Sequence, residues 1–326
     1  MILVTGATGF VGKAVVQRLL AEDESRCVVA AVRRDNQQWP ARVLPRVTGD
    51  LEPATDWSVA LDGVSAVIHC AARVHVMADT SANPLEEFRR VNVQGTLNLA
   101  RQAAAAGLRR FVFVSSIKVN GESTHLGSRF KADDTPAPLD AYGVSKMEAE
   151  QGLREIARKT GMELVIIRPP LVYGPGVKAN FAAMMRWLKR GVPLPLGAIH
   201  NQRSLVALDN LVDLMVTCLT HPSAANQTFL VSDGEDVSTT GLLRRMGQAM
   251  GKPARLLPVP AIWLKLAAAL IGKPDVAQRL CGSLQVDISK TRELLGWVPP
   301  VSLDEGLRRA AGHGLARFAR NDGKGV

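Results

Sequence analysis

The chain has 326 residues, 47% hydrophobic and 21% charged, with 28 Gly and 18 Pro. That balance excludes a disordered chain and suits one large α/β unit, alone or with a smaller appendage. The formal charge of +10 favours anionic ligands, but no nucleic-acid recognition motif accompanies it, so the expected partner is an anionic small molecule and not nucleic acid.

Met1-Ile2-Leu3-Val4 reads as an opening strand with no signal peptide before it. Cys27, Cys70, Cys218 and Cys281 show neither CxxC pairing nor metal-ligand spacing. Reduced thiols, no metal and a cytoplasmic setting are therefore expected. A Gly-rich turn leads into an apolar-periodic helix, 12–21, and then a strand, 28–32. A short strand near 46–48 precedes another at 66–70. Leu85 to Ala106 predicts one long amphipathic helix. Strand 110–115, helix 142–160 and strand 164–167 follow. This rhythm predicts a Rossmann-type, doubly wound parallel sheet over 1–169.

After Pro169, Pro- and Gly-rich loops separate short helices. They predict a smaller, mostly irregular substrate-binding part over 170–315, with some chain returning to the sheet. Residues 316–326 read as a disordered basic tail. The longest apolar run, Ala261 to Gly272, is interrupted by Lys265 and is too short to span a bilayer. It reads as a buried or half-buried helix, with interfacial membrane contact as the lesser alternative.

In Val4-Thr5-Gly6-Ala7-Thr8-Gly9-Phe10-Val11-Gly12, glycines recur every third residue at the first strand–helix junction. Glycine there lets the backbone turn tightly and approach a pyrophosphate, whose charge meets the helix N-terminus. Gly12 permits close helix–strand packing. The second strand ends in Val32-Arg33-Arg34, where an NAD enzyme usually carries an acid. Two guanidiniums suit a 2′-phosphate, so NADP(H) is favoured over NAD(H). Asp50, after the third strand, is placed for the adenine amino group.

Tyr142 and Lys146 stand four apart on a predicted helix and share a face. An ammonium beside a phenol lowers the phenol's pKa, and such a phenol can move a proton during hydride transfer. Ser116, at the end of the fifth strand, lies where parallel strands line a ligand crevice, and its hydroxyl can bond the same sugar oxygen.

With Thr5 to Gly12, Val67 to Ala72, Asn92-Val93-Gln94-Gly95-Thr96, Val114-Ser115-Ser116, Tyr142 to Lys146, Arg168-Pro169, Val172 to Gly176, Arg203 to Asp209 and Asp287 to Trp297, the chain resembles an extended short-chain dehydrogenase/reductase of the nucleotide-sugar epimerase/dehydratase family over nearly its whole length. The resemblance implies Ser116, Tyr142 and Lys146 as catalytic residues. It implies a cofactor site lined by Gly6, Thr8, Gly9, Phe10, Val11, Arg33, Arg34, Asp50, Leu51, Ala71, Ala72, Asn92, Tyr142, Lys146 and Pro169. Asn180, Arg203 and Arg279 match positions that bind the substrate diphosphate, and a homodimer is implied.

Three departures matter. Ile117 and Lys118 replace the Asp-Glu of family dehydratases, which argues against 4,6-dehydration. Asn120 stands where many members have Tyr. Arg33 replaces the usual NAD acid. The expected activity is hydride transfer at C4 of a UDP-hexose or UDP-N-acetylhexosamine. Reduction of a UDP-4-keto-6-deoxy sugar by NADPH in surface-polysaccharide synthesis leads, with a UDP-sugar 4-epimerase as alternative. A non-catalytic cofactor-binding protein is the remote alternative.

Overall fold

The structure, a computed structural model, describes residues 1–74, 83–177, 179–272 and 274–321, except the side chains of 179–180, 274–275 and 313–321. In chain order the main elements are β1 (Ile2–Thr5), α1 (Phe10–Glu22), β2 (Val28–Val32), β3 (Val43–Val47), α2 (Ser58–Leu61), β4 (Ala66–His69), α3 (Pro84–Phe88), a π-helical segment (Arg89–Gly95), α4 (Thr96–Ala105), β5 (Arg110–Val114), α5 (Ala141–Thr160), β6 (Glu163–Arg168), β7 (Leu171–Tyr173) and α6 (Ala179–Lys189). The rest comprises β8 (Arg203–Ala207), α7 (Leu208–Thr220), β9 (Gln227–Leu230), β10 (Asp236–Val237), α8 (Thr239–Ala249), α9 (Ala261–Leu270), α10 (Pro274–Cys281), α11 (Ser289–Leu295) and α12 (Leu303–Asn321).

Seven strands form one parallel sheet in the order β3-β2-β1-β4-β5-β6-β9. Strands such as β2, with all five residues buried, are apolar on both faces because helices cover both. Val15 and Leu19 of α1 pack with Leu211 and Met215 of α7 over one face. Leu99 and Ala103 of α4 pack with Ala149 and Leu153 of α5 over the other. The chain runs outward from β1 to β3, then restarts on the other side at β4. The switch point between β1 and β4 opens a crevice at the carboxyl ends of the strands.

After β6 the chain builds a second, three-stranded sheet, β10-β8-β7. Its apolar cluster joins Tyr173, Phe181, Met185, Leu243, Met246 and Leu307. The chain also returns to the main sheet, because β9 pairs in parallel with β6.

Three elements differ from their sequence expectations. The helix expected over 85–106 contains a π segment at 89–95, a distortion that periodicity does not register and that is frequent at functional sites. The apolar run after Ala261 forms a helix that is mostly exposed and not half-buried. The last helix includes 316–321, which had read as tail; 322–326 lie outside the described residues.

Candidate active site

The first turn is tight because Gly6 has φ +66°, a left-handed conformation that glycine adopts without strain. The Gly9 N–H donates to Gly6 O at 2.8 Å. A Cβ on Gly12 would stand 2.2 Å from Gly6 O, so only glycine lets α1 sit this close to β1. A Cβ on Gly6 would meet Ala71 N at 3.0 Å across the crevice. The start of α1 carries no side-chain cap, which leaves its first amides for a ligand. Ala71, beside Ala72 after β4, donates its N–H to Thr5 Oγ1 at 3.1 Å. Thr8 is exposed, while Phe10, Val11 and Leu51 are half-buried around the turn. The cradle fits the pyrophosphate of a dinucleotide.

At the adenosine end, Arg33 and Asp50 are both exposed and meet, with Nη1 3.6 Å from Oδ1. Arg34 is exposed beside them. The sequence separates these residues by a strand and a loop, and the fold joins them at one edge.

Asn92 lies on the π segment and is fully buried. Its Oδ1 accepts from Arg73 N at 2.8 Å, and its Nδ2 donates to Arg73 O and Ser145 Oγ, each at 3.0 Å. Ser145 Oγ in turn donates to Tyr142 O at 2.8 Å. One amide thus ties the loop after β4 to the first turns of α5.

Asp140 caps α5, accepting from Gly143 N at 2.7 Å, and Gly161 at φ +75° closes it. Tyr142 and Lys146 share a face of this helix, as their spacing predicts. Ser116, two residues beyond β5, opens a short 3₁₀ turn and accepts from Lys118 N at 3.2 Å. Lys118 pairs with both Glu122 and Asp140. Lys118 is therefore engaged with the cap of α5.

The electrostatics differ from expectation. Lys146 does not lower the Tyr142 phenol. Burial, with Asp140 adding to it, pushes that phenol well above its ordinary value. Lys146 Nζ instead donates to Val114 O at 2.9 Å and lies 4.5 Å from the Phe113 ring centroid. Burial lowers the ammonium to about 8, against the smaller opposing pull of Cys70 and Glu150.

Behind this face lies a buried network absent from the sequence reading. Glu150 accepts from Ser115 Oγ at 2.5 Å and takes a two-point bond from Arg168, Nε at 2.9 Å and Nη2 at 2.6 Å. Arg168 also donates to Asn120 Oδ1 at 3.0 Å. The available signal was spacing: Glu150 continues the Tyr142–Lys146 face by one more turn. His69 is likewise buried, between Thr5 Oγ1 at 2.7 Å and Thr96 Oγ1 at 2.9 Å. Burial lowers it to about 3, with Lys146 adding to the effect, so it packs as a neutral ring.

On the opposite wall, Pro169 follows β6, and its carbonyl accepts from Ile117 N at 3.0 Å. Arg203 opens β8 and donates through Nη1 to Arg279 O and Gly282 O, each at 3.1 Å. Burial lowers its guanidinium. The Arg279 side chain is exposed. The two arginines are thus brought together, though through the backbone of one. Asn180 is the second residue of α6, and its side chain lies outside the described residues.

Residues 2–232 match the NAD dependent epimerase/dehydratase family. The chain belongs to that family. It is 52% identical over 314 residues to a UDP-glucose 4-epimerase of Vibrio cholerae, covering 95% of this chain and 94% of that one. A UDP-glucuronic acid 4-epimerase from Bacillus cereus, solved with NAD, superposes with TM-score 0.77 at 21% identity, over 97% and 99% of the two chains, and shows the shared fold. MoeE5, solved with UDP-glucose and NAD, superposes with TM-score 0.75 at 26% identity over 97% and 99%. The chain is thus similar over 95% or more of its length to a UDP-glucose 4-epimerase and to a protein solved with UDP-glucose and NAD.

Proposed function

We propose that the protein is a UDP-hexose 4-epimerase holding its own NAD(H). The observation that carries this is the 52% identity to the Vibrio cholerae UDP-glucose 4-epimerase across 95% of the chain. It outweighs the reductase reading, which rested on Arg33 standing in place of an acid. Arg33 faces Asp50, so a carboxylate stands at the same edge after all and suits ribose hydroxyls. The NADP(H) preference gives way to NAD(H) for the same reason. Residues 170–315 would supply the substrate side, with Asn180, Arg203 and Arg279 nearest the diphosphate.

A nicotinamide dinucleotide, its pyrophosphate held by the Gly6–Gly12 turn, would supply the acceptor and donor of hydride. Tyr142 takes the proton from the sugar hydroxyl at C4 and returns it when the opposite face is reduced. Ser116 holds that oxygen by a hydrogen bond. Lys146, with a pKa of about 8, is mostly charged at neutral pH. Its ammonium, on the Tyr142 face of α5, is held by Val114 O and the Phe113 ring. Asn92 and Ser145 keep the first turns of α5 in register with the loop after β4. Remote binding of the nucleotide positions the sugar for both hydride transfers.

The test is to incubate the purified protein with UDP-glucose without added cofactor and follow UDP-galactose. Interconversion, with NAD(H) released on denaturation, is the expected result. Stoichiometric NADPH consumption with a UDP-4-keto-6-deoxy sugar, and deuterium from labelled NADPH at C4, would restore the reductase.

A further inference from the structure

No helix among the described residues is long and apolar enough to cross a membrane, yet α9 is built the wrong way round for a helix in water. Ala268 is its one buried residue, and Ala261 and Leu264 pack partly against the second apolar cluster on the same side. The opposite face carries Ile262, Trp263, Leu266 and Leu270, at 59%, 64%, 50% and 89% exposure, and Ile271 continues it at 70%. A surface helix ordinarily turns its polar residues outward. Here the most exposed stripe is the most apolar, and the only charge on the helix is Lys265. Lys265 falls between the two faces, where a long stem can lie along the helix and lift its ammonium toward headgroups.

We infer that this face is an interfacial anchor that docks the protein on an anionic lipid bilayer. Charge identifies the occupant. The stretch from Lys252 to Arg279 contains Lys252, Arg255, Lys265, Lys273 and Arg279 against a single acid, Asp275, in a chain whose formal charge is +10. An apolar stripe seeks any apolar cover, but an excess of basic residues along the same stretch of chain disfavours a second copy of it and favours acidic headgroups. Trp263 within the stripe suits the headgroup level, where its ring is apolar and its N–H is wet. The anchor is attached rigidly to the substrate side of the molecule. Arg203 bonds the backbone at Arg279 and Gly282, at the end of α10, and α10 packs on α9. This inference does not depend on which sugar reaction the site performs.

The full chain is sedimented with vesicles of phosphatidylglycerol and phosphatidylcholine, and with phosphatidylcholine alone. Binding to the anionic vesicles that weakens with salt is expected. The Leu266→Ser/Leu270→Ser variant keeps every charge and should lose about tenfold or more in vesicle affinity, since removing buried apolar area weakens interfacial anchoring. Its circular dichroism should be unchanged. In the wild type, brominated acyl chains should quench a fluorescence component that Trp263→Phe removes; this readout needs no disruptive variant. Three outcomes overturn the inference: no binding to anionic vesicles, binding that the serine variant leaves intact, or a dimer that the variant converts to monomer without any vesicle binding in the wild type.

Discussion

Replacing Lys146 with methionine should stabilise the protein while abolishing turnover. The lysine is 2% exposed, and its ammonium has one carbonyl, Val114 O, at 2.9 Å. Burial moves its pKa from 10.5 to about 8, which corresponds to about 3 kcal/mol against the charged form. Methionine fills similar space without the charge, but leaves the Val114 carbonyl without this donor, at a cost of about 1–3 kcal/mol. The net expectation is a gain of up to about 2 kcal/mol, or a rise of up to ~3 °C in Tm for a chain of this size.

The pH dependence separates this cause from packing. Below about pH 8 the lysine is protonated in both folded and unfolded chains, and the folded state bears the full burial cost. Between about 8 and 10.5 the unfolded chain holds the proton more strongly, so the cost shrinks as pH rises, and above 10.5 it is gone. The advantage of Lys146→Met should therefore be largest at neutral pH and vanish in strong alkali. Urea unfolding midpoints of both proteins, stripped of dinucleotide, measure it across that range. A variant less stable than wild type at neutral pH would refute the reasoning and show that Val114 O and the Phe113 ring compensate the buried ammonium in full.

Tyr142→Phe removes the proposed proton carrier and should lower the rate by about two to four orders of magnitude, with UDP affinity retained in a titration. Gly12→Ala forces a Cβ into a position 2.2 Å from Gly6 O; it should cost about 1–3 kcal/mol of stability and weaken dinucleotide binding, both measurable by thermal shift with and without NAD. Glu150→Gln leaves the buried Arg168 charge without its carboxylate and should cost about 3–5 kcal/mol in urea unfolding.

The legible parts of this protein were those in which local spacing and backbone chemistry agree. Glycines at 6, 9 and 12 must lie at a strand–helix junction to be useful, and they do. Residues 142 and 146 share a face because any α-helix makes them do so. The π segment at 89–95 was not legible, because its apolar pattern is that of an ordinary helix; only the ties of Asn92 to Arg73 and Ser145 mark it. The Arg33–Asp50 meeting is also tertiary, made when β2 and β3 align.

The electrostatics of the Tyr142 face show where sequence spacing stops being informative. Position 146 on α5 says that an ammonium can lie near the phenol, but the direction it takes depends on what competes for it. In this structure the end of β5 competes successfully: Val114 O and the Phe113 ring hold Nζ, while Asp140 adds to the burial that keeps the phenol protonated. Asp140 is itself engaged by Lys118. Through the cap of α5, Lys118 thus partly screens the carboxylate that opposes ionisation of Tyr142. Neutralising Lys118 should therefore raise the Tyr142 pKa further, and the limb on which the rate rises with pH as Tyr142 ionises should move upward with it in Lys118→Met.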